Sequence, residues 1–465
     1  MFDNVNAKLN PKHTPPLEPQ FQPAVLASHR YINEVKASGQ ALPLVIALER
    51  GGAVSTYETL VSEDDLSWLR YSQHHLERLV KFLLWSRGAS RLYIAGSAKL
   101  AEYIRRAYAP DGERSFDYRV MSRVYGVPFE VISCGLDETP PEHESTCALG
   151  RHLDGCRVGF DLGASDVKVS ALIDGVPVFS TEMEWQPRDN PDPEYHKAFI
   201  RKVINLAASK LPRLDAIGGS AAGIYIDNQP MIASLFRSVP EDAYDRVRHL
   251  FNDLEIEFGV PLQVINDGEM TALAGSMSLE DNGVLGIAMG SSEAAGFVNM
   301  KGNITDHLNE LAFAPIDYNP NAPIDEWSGD RGTGASYFSQ AAVFRLAAQI
   351  GIVVPQELSP AQQLSFVQEQ LEDGHQGAVK IWESMGVYLG YALAHYADFY
   401  DFKHVLIMGR CTSGNGGELM LDKANQVLKD EFPELADKVH VQLPDEKSRR
   451  VGQSIAAASL PVIER

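Results

Sequence analysis

Cysteine is sparse in this 465-residue chain. The four present, Cys134, Cys147, Cys156 and Cys411, show none of the close paired spacing of a zinc ribbon or a dithiol redox motif. A disulfide-stapled scaffold is thereby excluded, and a reducing, cytoplasmic compartment is expected. No stretch approaches the roughly 18 uncharged apolar residues of a spanning helix, and the proline-rich N-terminus lacks the apolar segment of a secretion signal. No membrane partner is expected. Positive charge is also short: 41 Lys plus Arg against 62 Asp plus Glu give a net charge of −21, with no basic cluster. Such a body repels a polyphosphate backbone, so nucleic acid is not an expected partner. The Gly-x-x-x-x-Gly-Lys-Ser/Thr phosphate loop is absent as well, and Lys168 is not a lysine of that type.

What is present is an ordinary globular composition, 45% hydrophobic and 22% charged, with length for about three domain-sized units. The first ~20 residues, with Pro11, Pro15, Pro16 and Pro19, read as an extended arm. Residues 42–57 then suggest a hairpin around Gly51-Gly52, followed by a helix over 65–87, a strand over 91–95 and a further helix. A proline- and acid-rich stretch, 135–155, marks a boundary. Beyond it, apolar runs flank Asp174-Gly175, a strong hairpin signal because both turn residues must tolerate positive φ. Helices near 194–209 and 241–258 alternate with strands near 214–218 and 261–265. The plan repeats with a hairpin around Gly290-Ser291-Ser292 and a strand over 404–408. Two related α/β lobes facing across a cleft are the expected architecture.

The chemistry-bearing motifs lie at strand ends. Asp161-Leu-Gly-Ala-Ser-Asp follows a strand. Its small residues Gly163 and Ser165 would let backbone N–H groups approach phosphate oxygens, while Asp161 reaches a magnesium ion or its water shell. A plain tight turn would look the same. Asn266-Asp267-Gly268 joins a strand to a helix. It reads either as an N-cap or as an aspartate that takes a proton from a substrate hydroxyl, with Asn266 hydrogen-bonding that substrate. Gly290, Ser291 and Ser292 form a second small-residue turn, and Gly409, Gly416 and Gly417 follow the strand over 404–408, where a nucleoside would find exposed backbone. The stripe of Gly386, Gly390 and Ala394 reads as close helix packing.

From about residue 158 onward the sequence resembles the sugar kinase, hexokinase and actin superfamily of ATPases, and within it bacterial sugar kinases of the ROK (repressor, open reading frame, kinase) family. Asp161, Gly163 and Ser165 match the first phosphate motif, with Lys168 where hexokinase-type members often carry a basic residue. Residues 264–267 resemble the segment bearing the catalytic aspartate, 286–296 the second phosphate loop and 406–417 the adenosine motif. Asn309-Glu310-Leu311-Ala312-Phe313 resembles the Gly-Glu-Ile-Gly-His segment whose Glu binds sugar hydroxyls. Phe313 stands at the histidine position and the cysteine-rich loop is missing, so no structural zinc is expected. Ser220 and Asn228 fall where that family borders its sugar, where they would either meet a polyol or simply satisfy a turn, and Asp330-Arg331-Gly332-Thr333-Gly334 resembles a loop of N-acetylglucosamine kinases.

The resemblance implies an actin-like, ribonuclease H-like ATPase fold with mixed sheets: an N-terminal α+β accessory domain over residues 1–150, a first lobe over 151–280 and a second over 281–465. It implies ATP and magnesium as cofactors, a sugar or sugar derivative as substrate and Asp267 as general base, while the roles open to the N-terminal unit are to cap one lobe, to mediate a homodimer or to shape the substrate rim. The rival expectations are a sensing regulator without catalysis, as in ROK repressors, and an ATPase that energises a partner.

Overall fold

The computed structural model describes residues 9–144, 146–147, 149–444 and 446–463. Residues 1–8 of the expected arm and the Cys147 side chain lie outside the described set. The N-terminal unit runs α1 (Ala24–Ser38), β1 (Leu42–Arg50), β2 (Ala53–Val61), α2 (Leu66–Arg87), β3 (Arg91–Ala95), α3 (Ala98–Ala107), α4 (Ser115–Tyr125) and β4 (Glu130–Cys134). After a short β5 (Thr146–Cys147), the first lobe follows as β6 (Cys156–Leu162), β7 (Asp166–Ile173), β8 (Val176–Glu184), α5 (Pro193–Ala208), β9 (Ala216–Ala221), β10 (Ile224–Ile226), β11 (Gln229–Ile232), α6 (Tyr244–Arg248), α7 (Leu250–Phe258), β12 (Leu262–Asn266) and α8 (Asp267–Leu279). The second lobe is β13 (Val284–Met289), β14 (Glu293–Val298), β15 (Ile304–Thr305), α9 (Gln340–Gln349), α10 (Pro360–Glu372), α11 (Gln376–Ala397), β16 (His404–Met408), α12 (Asn415–Glu431), α13 (Pro433–Ala436), β17 (His440–Gln442) and α14 (Glu446–Ala458).

The two lobes share one topology. The first has strand order β12-β9-β6-β7-β8, with an antiparallel meander β6-β7-β8 and β9 and β12 added in parallel. The second has β17-β16-β13-β14-β15, the same plan, extended by β5 at its edge. The Asp174-Gly175 hairpin forms as the sequence requires, with φ of 46° and 79°. A third sheet, β2-β1-β3-β4, belongs to the N-terminal unit.

Helices are exchanged between the lobes. α8 packs on β13 and β14 of the second lobe, while α14 crosses back onto β6, β7 and β9 of the first. Glycines make both approaches possible. A Cβ at Gly159 or Gly218 would overlap the backbone of α14, and one at Gly268 or Gly296 would overlap the facing backbone of β14 or α8. A small cluster containing Met270, Leu273, Ala456, Ala457 and Leu460 fills the seam.

The first lobe has its own apolar core, including Val158, Phe160, Ile204, Leu235 and Phe251. The N-terminal unit does not stand apart in this way: Leu44, Ile46, Phe82, Trp85 and Ile94 join Leu285, Ile287, Trp382 and Tyr388 of the second lobe in one continuous core. The described part of the arm is docked there too. Leu17 N donates to Ser384 Oγ (3.2 Å), Tyr388 Oη donates to Glu18 (2.6 Å), and Arg345 pairs with Glu18. On α11, Gly386 and Gly390 lie against α12, as the stripe of small residues suggested.

Candidate active site

The first-lobe side of the cleft is built at the ends of β6 and β9. Asp161 lies beside Ser220 in the parallel β6/β9 register, and the Ser220 hydroxyl donates to Asp161 Oδ1 at 2.6 Å. Burial raises the Asp161 carboxyl above its ordinary range, against the opposing pull of Ser220 and of Lys168, its cross-strand partner on β7. The following turn is locked: Gly163 N donates to Asp166 O (2.9 Å), and Trp185 donates from Nε1 to Gly163 O (2.8 Å) and from its backbone N to Ser165 O (3.1 Å). Ala164 and Ser165 remain exposed.

Asp267 opens α8. Asn266 caps that helix: its Oδ1 accepts from Gly268 N (2.6 Å) and its Nδ2 donates to Gly223 O (2.6 Å). Asp267 Oδ1 is buried and has no hydrogen-bond partner. Burial and then the charge of Asp161 push the Asp267 carboxyl up to about 6. Glu269, two residues on, rises to about 8 through burial, although it accepts from Asn266 N.

The second lobe adds the turn Gly290-Ser291-Ser292, in which Gly290 N donates to Ser292 O (3.0 Å) and Gly290 O accepts from Gln340 N (2.9 Å). Both serines are exposed, and a Cβ at Gly290 would meet nothing, so this turn is open to an approaching group. The glycines after β16 differ. A Cβ at Gly409 would overlap the Met289 backbone, at Gly416 the Trp382 indole, and at Gly417 the Thr412 carbonyl; all three are fixed by internal packing. Between the turns, the 61% exposed Arg410 places its guanidinium 3.9 Å from Asp166 of the opposite lobe.

On the remaining side stands Glu310. Burial, then the charges of Asp267 and Glu269, push its carboxyl up to about 8. Glu293, at the start of β14, is also raised to about 8, by burial first and with Glu310 adding to it. Sequence reasoning missed Glu269, Glu293, Arg410 and Trp185. Only Glu269 had a visible signal, an acid three residues after a capping asparagine. Two expected sugar contacts have structural partners instead. Asn228 is buried and spends its amide on β12, donating to Leu262 O (2.7 Å) and accepting from Val264 N (2.8 Å), and Ser220 is turned to Asp161. Asp330 is not a free loop acid either; it pairs with Arg78, Lys81 and Arg114 of the N-terminal unit at 2.7–3.2 Å.

One further cluster, Glu144, Asp306 and His307, brings three metal-type ligand atoms together. Arg50 donates to both carboxylates (2.8 Å) and Arg87 to His307 Nδ1 (2.9 Å), so these ligand atoms already hold protein partners.

No family model and no curated protein matches the sequence. Solved structures do. A ROK family transcriptional regulator, a homologue of the E. coli MLC protein, is 18% identical with a TM-score of 0.53, the match covering 66% of this chain and 78% of that one. A ROK hexokinase from Thermus thermophilus is 17% identical with a TM-score of 0.50, covering 65% and 96%. The chain has the ROK fold. Phe313 is packed on aromatic rings, 4.4 Å from Trp85 and 5.6 Å from Phe116 between centroids. Among the described residues no helix is long and apolar enough to cross a membrane.

Proposed function

We propose that this protein transfers the γ-phosphoryl group of ATP to a hydroxyl of a sugar or sugar derivative. The observation that carries the reading is Asp267: a carboxylate at a helix N-terminus between two lobes, with one buried oxygen unclaimed by any protein donor. Its raised pKa of about 6 suits a general base at neutral pH, mostly ionised yet basic enough to accept the acceptor's proton. The exposed turn residues Ala164, Ser165, Ser291 and Ser292, beside Gly163 and Gly290, support a cradle for the phosphates, with Arg410 and Lys168 as local counter-charges in an acidic chain. Gly409, Gly416 and Gly417 shape the proposed nucleoside end through packing. The carboxylate oxygens of Asp161, one engaged by Ser220, are the hard donors magnesium prefers, directly or through water, and the ion would supply charge neutralisation at the phosphates. Glu310 is the proposed acceptor contact; the Asn266 amide, held by Gly268 and Gly223, orients Asp267 beside it. At neutral pH the Glu310 carboxyl is mainly protonated and donates to an acceptor oxygen.

A second reading, a sugar-sensing regulator without turnover, is favoured by one observation: a transcriptional regulator shares the fold. Release of ADP with a panel of hexoses, amino-hexoses and N-acetylhexosamines separates the two. Sugar-dependent release is expected; sugar binding without release would replace the kinase reading by the regulator.

A further inference from the structure

The last turn of an α-helix leaves carbonyls without intrahelical donors. In α2, the 22-residue helix of the N-terminal unit, these carbonyls are satisfied by the segment that carries Glu310. Glu310 N donates to Trp85 O (2.9 Å), Asn309 N to Ser86 O (3.0 Å) and Leu308 N to Arg87 O (3.2 Å). Three consecutive amides of the second lobe thus close one helix end of the N-terminal unit. The turn is unusual enough to need that support: Asn309 is buried with φ 52°, in the left-handed region, and its Oδ1 accepts from Tyr400 Oη at 3.0 Å.

The side chains repeat the connection. Trp85, 1% exposed, packs with Phe313 and Phe116 in a cluster of three mutually contacting rings and donates from Nε1 to Asp117 Oδ1 (2.7 Å). Asp117 is held in turn by Lys81 (2.9 Å), which also reaches Asp330 (3.2 Å) of a second segment of the second lobe. Both segments of the second lobe are therefore fastened to α2.

We infer that the N-terminal unit is part of the acceptor site, with Trp85 a positioning residue that holds the Glu310 segment through α2. This rests on the phosphotransferase reading for the identity of the bound sugar. Placement of a polar contact matters steeply, since a displacement of about 1 Å can change rates about 100-fold. Recognition of the sugar, not of the nucleotide, is thus the property the unit controls.

The test uses the full chain carrying Trp85→Leu, Phe313→Leu or the milder Trp85→Phe. Three quantities are read: the acceptor KM over the same sugar panel, the Kd of a fluorescent ATP analogue, and hydrogen exchange of the amides of Leu308, Asn309 and Glu310. Trp85→Leu is expected to raise the acceptor KM about tenfold and speed exchange of those amides at least tenfold. The nucleotide Kd should stay within twofold, and amides of the 163–166 turn should be unchanged; Trp85→Phe should fall in between. An unchanged acceptor KM overturns the inference, as does an equal loss of sugar and nucleotide affinity, the mark of general unfolding. If the wild type binds a sugar without turnover, the kinase reading fails, and the sugar Kd replaces KM as the quantity Trp85 must move. A wild type that binds no sugar of the panel overturns the inference as well.

Discussion

Two groups of acids in this molecule, one buried and one mostly half-buried, behave in opposite ways. Behind the cleft, Glu77, Asp117 and Asp330 are interleaved with Arg78, Lys81 and Arg114. Burial alone would raise Glu77, but Arg78 and Arg114 hold it down at about 2, and Asp330 is likewise held well below the usual range. Inside the cleft, Asp161, Asp267, Glu269, Glu310 and Glu293 interact with one another, and each is raised. The paired acids are balanced by the protein itself. The cleft acids are left to be balanced by something else, which is what a site for a polar ligand looks like before the ligand arrives.

The sharpest break in that contrast is chemical. Asp267→Asn is expected to lower kcat by about 10²–10⁴ while leaving nucleotide affinity unchanged, measured by ADP release and equilibrium binding; near-wild-type turnover would remove Asp267 from the reaction. Next is Lys81→Met, which strips the ammonium from Asp117 and Asp330. Urea denaturation should show a loss of about 3–5 kcal/mol, the usual cost of leaving one side of a buried pair. A smaller effect separates the groups by pH. Glu269, Glu293 and Glu310 have folded pKa values near 8, above their ordinary 4.5, so they cost stability progressively as pH rises from about 4.5 to 8. Glu77 has the opposite sign: its stabilisation is present above about 4.5 and is lost as pH falls towards 2. Thermal melts across this range should fall on the alkaline side, and Glu293→Gln should flatten that fall without altering the acid side. Smallest on the pH axis is the shift from Asp161→Asn, which removes the charge raising Asp267 and also the proposed magnesium contact, so that turnover itself falls as well. The acid limb of kcat/KM, expected near pH 6 in the wild type, should move to lower pH.

Much of this was legible in sequence because it is local. The Asp174-Gly175 turn, the α2 helix and the strand-end positions of Asp161, Asp267 and Gly290 depend on neighbours a few residues away, and they stand where periodicity and turn chemistry put them. α1 was not anticipated: its buried residues Ala24, Val25, Tyr31 and Val35 form too narrow a stripe, and no side chain caps its start. The ambiguity at Asn266 between cap and ligand is physical, since the cap forms and Asp267 beside it keeps a free oxygen. Asn228 could not be read, because its partners Leu262 and Val264 come from a strand formed later in the chain. The fastening of Glu310 to Trp85 is of the same kind: no pattern in either segment announces the other.

The exchange of α8 and α14 bears on how such a chain can be divided. A cut near residue 280 would separate α14 from the sheet face it covers, baring Gly159, Gly218 and the apolar strands around them. A cut near 150 would strip Trp85 and Phe82 from the core they share with Trp382. Boundaries that look like seams along the sequence are therefore closed in space, and neither fragment would keep its apolar faces covered on its own.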